Sequence, residues 1–246
     1  MNEILVNQLA IDFCCTPEQV LCRENSFTPY SPLPGRRIFQ EGEVFLKVAA
    51  FRGKLLFTGK PEIVEWAQSR YGQTSGAWFF DGKSLCDMNE GVGQFGCRVG
   101  QAHPFFIGEQ KTAVDSGTFE IRRYAGEALE QFRGDSRFDE AFLFDTIPKD
   151  ELGIAALENG RICGMAGATS DSERMWQIGI NVMPEVRGRG IGPMLVTLLK
   201  NEILSMGVLP FYGTSMSHIA SQQTAIRAGF LPAWAELSCE KVAALG

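Results

Sequence analysis

The first part of the chain shows short stretches of patterned apolar residues that are separated by turn residues. Apolar spacing in residues 3–13 predicts an amphipathic helix, and the Thr-Pro pair at 16–17 predicts the start of a second, short helix. Residues 44–51 and 54–59 are rich in β-branched and aromatic side chains, which predicts a hairpin. Helical spacing predicts a further helix over residues 62–71.

The second part of the chain has longer and more regular elements. Residues 118–124 alternate as a strand does, and residues 128–144 show helical spacing with one interruption. Two apolar runs, 153–157 and 162–168, flank an Asn-Gly dipeptide, which is a strong hairpin signal. These patterns predict an α/β fold for this part.

A glycine-rich turn follows the next predicted strand. Residues 175–182, MWQIGINV, lie between a polar loop and Pro184, so they fit a buried strand. The stretch VMPEVRGRGIG at 182–192 comes next, and apolar spacing then predicts a helix over 193–206. A strand that leads through such a turn into a helix directs several backbone N–H groups at one place, which predicts an anion site.

The residue types in this turn suit a phosphate or pyrophosphate. Gly188, Gly190 and Gly192 can adopt positive φ and lack Cβ atoms, so the backbone can approach the anion closely. Arg187 and Arg189 add positive charge. The GK[ST] ending of a Walker loop is missing, which disfavours ATP as the ligand.

Residues 85–108 are rich in glycine and show poor periodicity. The stretch GVGQFG at 91–96 matches the dinucleotide-binding pattern in form. The residues before it make no buried strand, and Gly100 and Pro104 prevent a helix after it, so the motif lacks its required context. We interpret these residues as turn glycines.

Length and composition are those of a globular chain with one or two domains. The chain has 246 residues, of which 45% are hydrophobic and 21% charged, and no apolar run reaches membrane-spanning length. Because the patterning becomes regular after about residue 115, we predict an N-terminal α+β domain over residues 1–115 and a second domain over 116–246.

Charge and cysteine content exclude several classes of protein. Acidic residues outnumber basic ones by 29 to 23, and they do so in both predicted domains, which argues against a nucleic-acid partner. The seven cysteines contain no CxxC pair and there are two histidines, so we expect reduced thiols and no metal. The acidic N-terminal segment lacks the features of a secretory signal, and we expect a cytoplasmic protein without membrane contact.

The string RGRGIG resembles a known cofactor motif. It is similar to the coenzyme A pyrophosphate signature, [QR]xxGx[GA], of the GNAT superfamily of acyl-CoA-dependent N-acyltransferases, with Arg187, Gly190 and Gly192 at the fixed positions. A predicted strand at 209–214 and a helix that ends at the Gly-Phe pair 229–230 also resemble that family. The resemblance covers about residues 118 to 240, and the whole chain is similar to a subgroup with an extra N-terminal domain.

This resemblance implies a fold and a reaction. The fold would be a GNAT-like mixed twisted sheet flanked by helices, with a smaller α+β N-terminal domain. Because the N-terminal half has no cofactor motif of its own, our hypothesis is that it covers or completes the acceptor site. The reaction would move an acetyl group from acetyl-CoA to a primary amine of a small molecule or peptide, in a homodimer. The residues expected to bind acetyl-CoA are Asn181, Val182, Arg187, Gly188, Arg189, Gly190, Ile191, Gly192 and Ser221.

The catalytic groups are harder to assign. The general-acid tyrosine of the family falls on Ala225, so this chain either needs another proton donor, for which Tyr212 and His218 are the candidates, or releases the thiolate unaided. For the base we name Glu173, although Asp171 and Glu185 are near the same strand and each could equally be a solvated loop residue. Ordinary packing or capping is the alternative for Tyr212 and His218.

Two further functions stay open at this point. Because the family tyrosine is missing, the chain could be a catalytically silent protein that binds or senses acyl-CoA. Transfer of a longer acyl group needs only a wider pocket. The identity of the amine acceptor does not follow from the sequence.

Overall fold

The computed structural model describes residues 2–38, 43–145 and 147–242, and their strands form one mixed sheet. The strands are β1 (Ser26–Pro29), β2 (Leu46–Phe51), β3 (Lys54–Gly59), β4 (Cys97–Ile107), β5 (Glu120–Ala125), β6 (Lys149–Glu158), β7 (Arg161–Ser170), β8 (Met175–Val182), β9 (Leu209–Gly213) and β10 (Leu231–Lys241). Their order across the sheet is β1-β3-β2-β10-β4-β9-β8-β7-β6-β5. The β1–β3 and β8–β9 pairs are parallel, and the other pairs are antiparallel.

Helices cover both faces of this sheet. The α-helices are α1 (Glu3–Asp12), α2 (Pro17–Leu21), α3 (Pro61–Tyr71), α4 (Gly82–Gly93), α5 (Ile191–Ser205) and α6 (Ile219–Arg227). Short 3₁₀ turns lie at Gly76–Trp78, Gly126–Phe132, Ser136–Phe138 and Pro184–Val186. The predicted mixed α/β sheet flanked by helices is confirmed. Within the described ranges, no helix is long and apolar enough to span a membrane.

Strands from both halves of the chain share hydrogen bonds. β10 pairs with β2 on one side and with β4 on the other, and β4 pairs in turn with β9. The sheet therefore runs without interruption from the N-terminal strands to β8. The domain boundary near residue 115 stays a prediction.

The two faces of the sheet have separate apolar cores near its centre. On one face, Leu195 and Leu199 of α5 pack with Ile178 of β8. On the other, Leu9 of α1 packs with Phe105 and Phe211. Full burial of such side chains contributes about 1.5–3 kcal/mol each, so both helices are held chiefly by their apolar faces.

Local sequence signals account for several elements. Thr16 accepts the N–H of Gln19 while the Gln19 side chain accepts the N–H of Thr16, which is a capping box at the start of α2. Asn159 and Gly160 have φ of 51° and 76° and close the β6–β7 hairpin, as the Asn-Gly dipeptide predicts.

Within residues 85–108, the turn interpretation holds for Gly96, which has a φ of 70° in the turn after α4, and is wrong for Gly91 and Gly93. This stretch contains the C-terminal part of α4 and all of β4, and the glycines at 91 and 93 are helical. A Cβ on Gly91 would lie 2.0 Å from the Trp66 ring, so glycine permits the close contact between α3 and α4. The pattern GVGQFG thus begins inside a helix, and it is not a dinucleotide loop.

Pro104 lies in β4, where its missing N–H leaves no gap in the ladder. The carbonyl of Pro104 accepts the N–H of Thr214, and the nitrogen and carbonyl of one strand residue face the same side. The Pro104 nitrogen therefore also faces the β9 side, at a position beyond the last β9 residue that pairs with β4.

The predicted helix over 128–144 is replaced by 3₁₀ turns at Gly126–Phe132 and Ser136–Phe138. Aromatic packing of Phe132 with Phe138 explains the apolar spacing there.

Candidate active site

β8 and β9 separate part-way along their length. Met175 pairs with Leu209, Trp176 with Pro210 and Gln177 with Phe211, and the pairing ends there. β8 continues to Val182 with β7 as its neighbour. The two strands therefore form a fork whose closed end is at Gln177.

Backbone polar groups of alternate β8 residues face into the fork. The N–H of Met183 donates to the carbonyl of Cys163 in β7, whereas the carbonyl of Arg174 accepts the N–H of Leu209 in β9. Since successive residues of a strand direct their N–H and C=O groups to opposite sides, the even-numbered residues Ile178, Ile180 and Val182 face the fork. Asn181 directs its own backbone groups toward β7.

The side chain of Asn181 holds a segment, residues 139–141, that crosses one face of β8. Its Oδ1 accepts the N–H groups of Glu140 (3.1 Å) and Ala141 (2.7 Å), and its Nδ2 donates to Asp139 (3.0 Å). A Cβ on Gly179 would lie 1.8 Å from the Glu140 carbonyl oxygen, so glycine is required beneath this segment. The segment covers the odd-numbered face of β8, opposite to the face that packs on α5.

The glycine loop, residues 187–192, lies at the open end of the fork. Gly188 and Gly190 have φ of 82° and 79°, and Gly190 is the N-cap of α5. The first N–H groups of α5 have no partner within the helix, so with its dipole they can bind an anion. A Cβ on Gly192 would be 3.5 Å from Thr224 and Val182, which leaves little room for a larger side chain.

The two arginines of the glycine loop differ in their contacts. Arg187 lines the cavity beside β8 and donates through Nε to the Val182 carbonyl at 3.2 Å. Arg189 forms a bidentate pair with Glu158 at 2.7 and 3.0 Å and lies over the Phe119 ring. The side chain of Arg189 therefore stabilises the β6–β7 hairpin and lies outside the cavity lining.

Two predicted proton donors lie on the opposite wall. The hydroxyl of Tyr212 on β9 is 2.9 Å from the hydroxyl of Ser221 on α6. Burial raises the pKa of Tyr212, so this phenol stays protonated at neutral pH. His218 is the N-cap residue of α6, its exposed ring lines the same cavity, and its side chain does not cap the helix.

The carboxylates near β8 are placed very differently from one another. Glu173 is exposed in the loop before β8 and lies outside the cavity lining, so the structure does not bring it together with the other predicted residues. Glu185 is exposed in a 3₁₀ turn. Asp171 is 3% exposed and lines the cavity.

The cavity, of about 1820 Å³, takes its walls from both halves of the chain. Arg37 is buried in one wall, where it donates to Asp12 and to Glu236. Its guanidinium also lies 4.9 Å from the centre of the Trp234 ring. His103 of β4 lines the cavity as well, with Nδ1 at 3.2 Å from the Thr214 carbonyl oxygen.

Most of the predicted cofactor residues share this cavity, and part of its lining could not be predicted from the sequence. Besides Tyr212 and His218, the predicted residues in the lining are Asn181, Val182, Arg187, Gly188, Gly190, Ile191, Gly192 and Ser221. The missed residues include Arg37 and His103, which no local motif marks. In the part of the chain that the structure describes, no His, Cys, Asp and Glu side chains cluster as metal ligands would.

Comparison with known proteins identifies the second half of the chain. Residues 119–230 match the model of the acetyltransferase (GNAT) family. Among solved structures, the chain is similar to a GNAT-family acetyltransferase from Colwellia psychrerythraea, with 16% identity, a TM-score of 0.47 and coverage of 76% of this chain and 78% of that chain. It is also similar to a GCN5-related N-acetyltransferase-like protein from Streptococcus suis, with 17% identity, a TM-score of 0.45 and coverage of 64% and 68%.

A third similar structure is a GCN5-related N-acetyltransferase from Sphaerobacter thermophilus, with 16% identity and a TM-score of 0.45. That match covers 66% of this chain and 57% of the Sphaerobacter protein. No curated protein matches the chain. The family match includes β8, the glycine loop, α5 and α6, and residues 119–230 therefore form an acetyltransferase domain of the GNAT family.

Proposed function

We propose that this chain is an N-acetyltransferase that moves an acetyl group from acetyl-CoA to a primary amine. The observation that carries the proposal is the fork between β8 and β9, with the glycine loop at its open end. A fork of this kind offers unpaired backbone groups to an extended ligand, and the glycine loop offers N–H groups to its phosphates.

The glycine loop and β8 would hold the coenzyme. The N–H groups at the start of α5 bind the pyrophosphate, and Gly190, with a φ of 79°, gives the loop its required shape. Arg187 adds a positive charge at the same wall. The pantetheine arm lies along β8, where the backbone of Ile180 and Val182 faces the fork.

The same edge of β8 would stabilise the reaction. When an amine attacks the thioester, negative charge develops on the carbonyl oxygen, and the backbone N–H of Ile180, which lies beyond the last β8–β9 pair, can donate to it. Acetyl-CoA supplies the activated acetyl group. Because this catalysis consists mainly of positioning and oxyanion stabilisation, few side chains are required.

Tyr212 and Ser221 would return a proton to the departing sulfur. Ala225, at the family's tyrosine position, is fully buried and carries no donor. The Tyr212 hydroxyl instead reaches α6 from the neighbouring strand and contacts Ser221, next to the fork. Its raised pKa keeps the proton on the phenol until the thiolate forms.

The N-terminal half would complete the acceptor site. On the odd-numbered face of β8, α1 covers Met175 at the start of the strand, and the segment that contains Glu140 covers the strand near its end. The cavity lies between α1 and this segment. Arg37 and His103 belong to its walls, and both precede residue 115. The amine therefore reaches the fork from the sheet face opposite to α5.

We also propose a homodimer, which sedimentation analysis would test.

Calorimetric titration with acetyl-CoA, followed by a free-thiol assay against a panel of amines, tests the function. We expect binding with one site per chain and thiol release that depends on the amine. Binding without release would favour the silent acyl-CoA sensor. Absence of binding would show that the glycine loop is only the start of α5.

A further inference from the structure

Asp171 is a buried carboxyl group in the acceptor cavity. It follows β7 directly, is 3% exposed, and lines the same cavity as Gln177 and Tyr212. Thr169 of β7, the register partner of Gln177 on β8, lines the cavity beside it. The carboxyl group therefore lies on the acceptor side of the sheet.

Its hydrogen bond to Thr169 places it level with the closed end of the fork. Thr169 donates its hydroxyl to Asp171 Oδ1 at 2.7 Å. Thr169 is also the register partner of Gln177, which is the last β8 residue that pairs with β9. Asp171 is thus held next to the point where the two strands separate.

The N-terminal half fixes the backbone around Asp171. The N–H of Ile38 donates to the Asp171 carbonyl at 3.1 Å. The hydroxyl of the next residue, Ser172, donates to Gln8 of α1 at 2.8 Å and accepts the N–H of Met175. These bonds fix the backbone from which the Asp171 carboxyl group extends, and a proton acceptor in a catalytic site requires such support.

The surrounding charges allow Asp171 to exchange a proton at neutral pH. Burial raises its pKa to about 7, and the hydrogen bond from Thr169 and the charge of Arg37 oppose that rise. Arg37 faces Asp171 from the segment after β1, but its salt bridges go to Asp12 of α1 and Glu236 of β10. The carboxylate therefore keeps its capacity to accept a proton from a ligand in the cavity.

We propose that Asp171 is the catalytic base, and that it binds the acceptor's ammonium group and takes its proton. This inference rests on the proposed transferase function. One proton passes from the ammonium nitrogen to Asp171, and the freed lone pair forms the C–N bond. As the C–S bond breaks, the second nitrogen proton passes to the sulfur through the hydroxyls of Ser221 and Tyr212, and Asp171 returns its proton to water.

The test compares the pH dependence of kcat/KM for the amine in the wild type, Asp171→Asn and Glu173→Gln. In the wild type, the rate should rise through about pH 7, because the carboxylate is the active form of the base. Asp171→Asn should lose about 100-fold at pH 7, a typical effect of removing a general base, with the KM for acetyl-CoA unchanged. Glu173→Gln should keep the wild-type profile.

A second readout separates proton transfer from structural damage. At a pH where the amine is already neutral in solution, Asp171→Asn should approach the wild-type rate, since no base is then needed. A deficit that is equal at every pH would overturn the assignment, as would a lost pH dependence in Glu173→Gln alone. A wild type that transfers acetyl groups to no amine would instead overturn the transferase function itself.

Discussion

The two ends of β8 offer a ligand different kinds of atoms. At the Val182 end, residues 187–190 of the glycine loop are exposed, and the loop presents backbone N–H groups. At the Met175 end, the side chains of Asp171 and Arg37 are buried, and their interactions depend on charge and protonation. Substitutions at the first end should therefore change coenzyme binding, whereas those at the second should change stability and pH dependence.

The largest effect should come from breaking the buried ion pairs of Arg37. Arg37→Met leaves the carboxylates of Asp12 and Glu236 without their shared cation, which should cost about 3–5 kcal/mol in the free energy of unfolding. The matched control is Arg98→Met, because Arg98 pairs with Glu240 at the surface and should cost less than about 1 kcal/mol. Urea denaturation measures both, and equal losses would contradict the role of burial.

The next effect concerns the glycine loop. Gly190→Val places a β-branched residue at a φ of 79°, and we expect acetyl-CoA affinity to fall at least about 100-fold, or about 2.7 kcal/mol. Gly207→Val is the control, because Gly207 has a φ of 75° at the other end of α5 and equally open surroundings. Both variants should lose similar stability, and calorimetry should find weaker binding in Gly190→Val alone.

Asp171 should make stability depend on pH. Its pKa of about 7 in the folded chain is above the ordinary value of 3.8, so the folded state keeps a proton that the unfolded chain releases. The stability that the Asp171 side chain contributes to the folded state is fully present below about pH 4 and is lost as pH rises through about 7. Asp171→Asn should therefore gain in Tm relative to the wild type between pH 4 and pH 8. A difference that stays constant over this range would contradict the burial effect.

The smallest effect should separate the two arginines of the glycine loop. Arg187→Gln should weaken acetyl-CoA binding about tenfold, or about 1.4 kcal/mol, because Arg187 lines the cavity. Arg189→Gln should change the affinity by less than about twofold, since Arg189 is paired with Glu158. A larger loss in Arg189→Gln would show that this side chain leaves Glu158 when the coenzyme binds.

Features of the site that lie within one stretch of the sequence could be predicted, because local backbone geometry determines them. The strand over 175–182, the glycine loop and the helix after it depend on residues within one stretch of chain, and the structure places them as predicted. The Asn159-Gly160 hairpin has the same origin. In each case the local backbone preference and the tertiary structure agree.

The cavity wall that contains Arg37 could not be predicted because residues far apart in the sequence form it. Arg37 meets Glu236 across 199 positions, and nothing near either residue indicates the contact. α4 was missed because Gly91 is selected by its contact with Trp66 and not by helix propensity. Asp171 could be named as a nearby carboxylate, but its burial depends on α1 and on Ile38.

Amine-dependent release of the coenzyme A thiol by the full chain is the most direct test of the account. The wild type should release one thiol for each acetylated amine that mass spectrometry detects, and Gly190→Val should release almost none at the same acetyl-CoA concentration. Thiol release at equal rates with and without amines, or with no acetylated product, would contradict the assignment of the fork as an acetyl-transfer site.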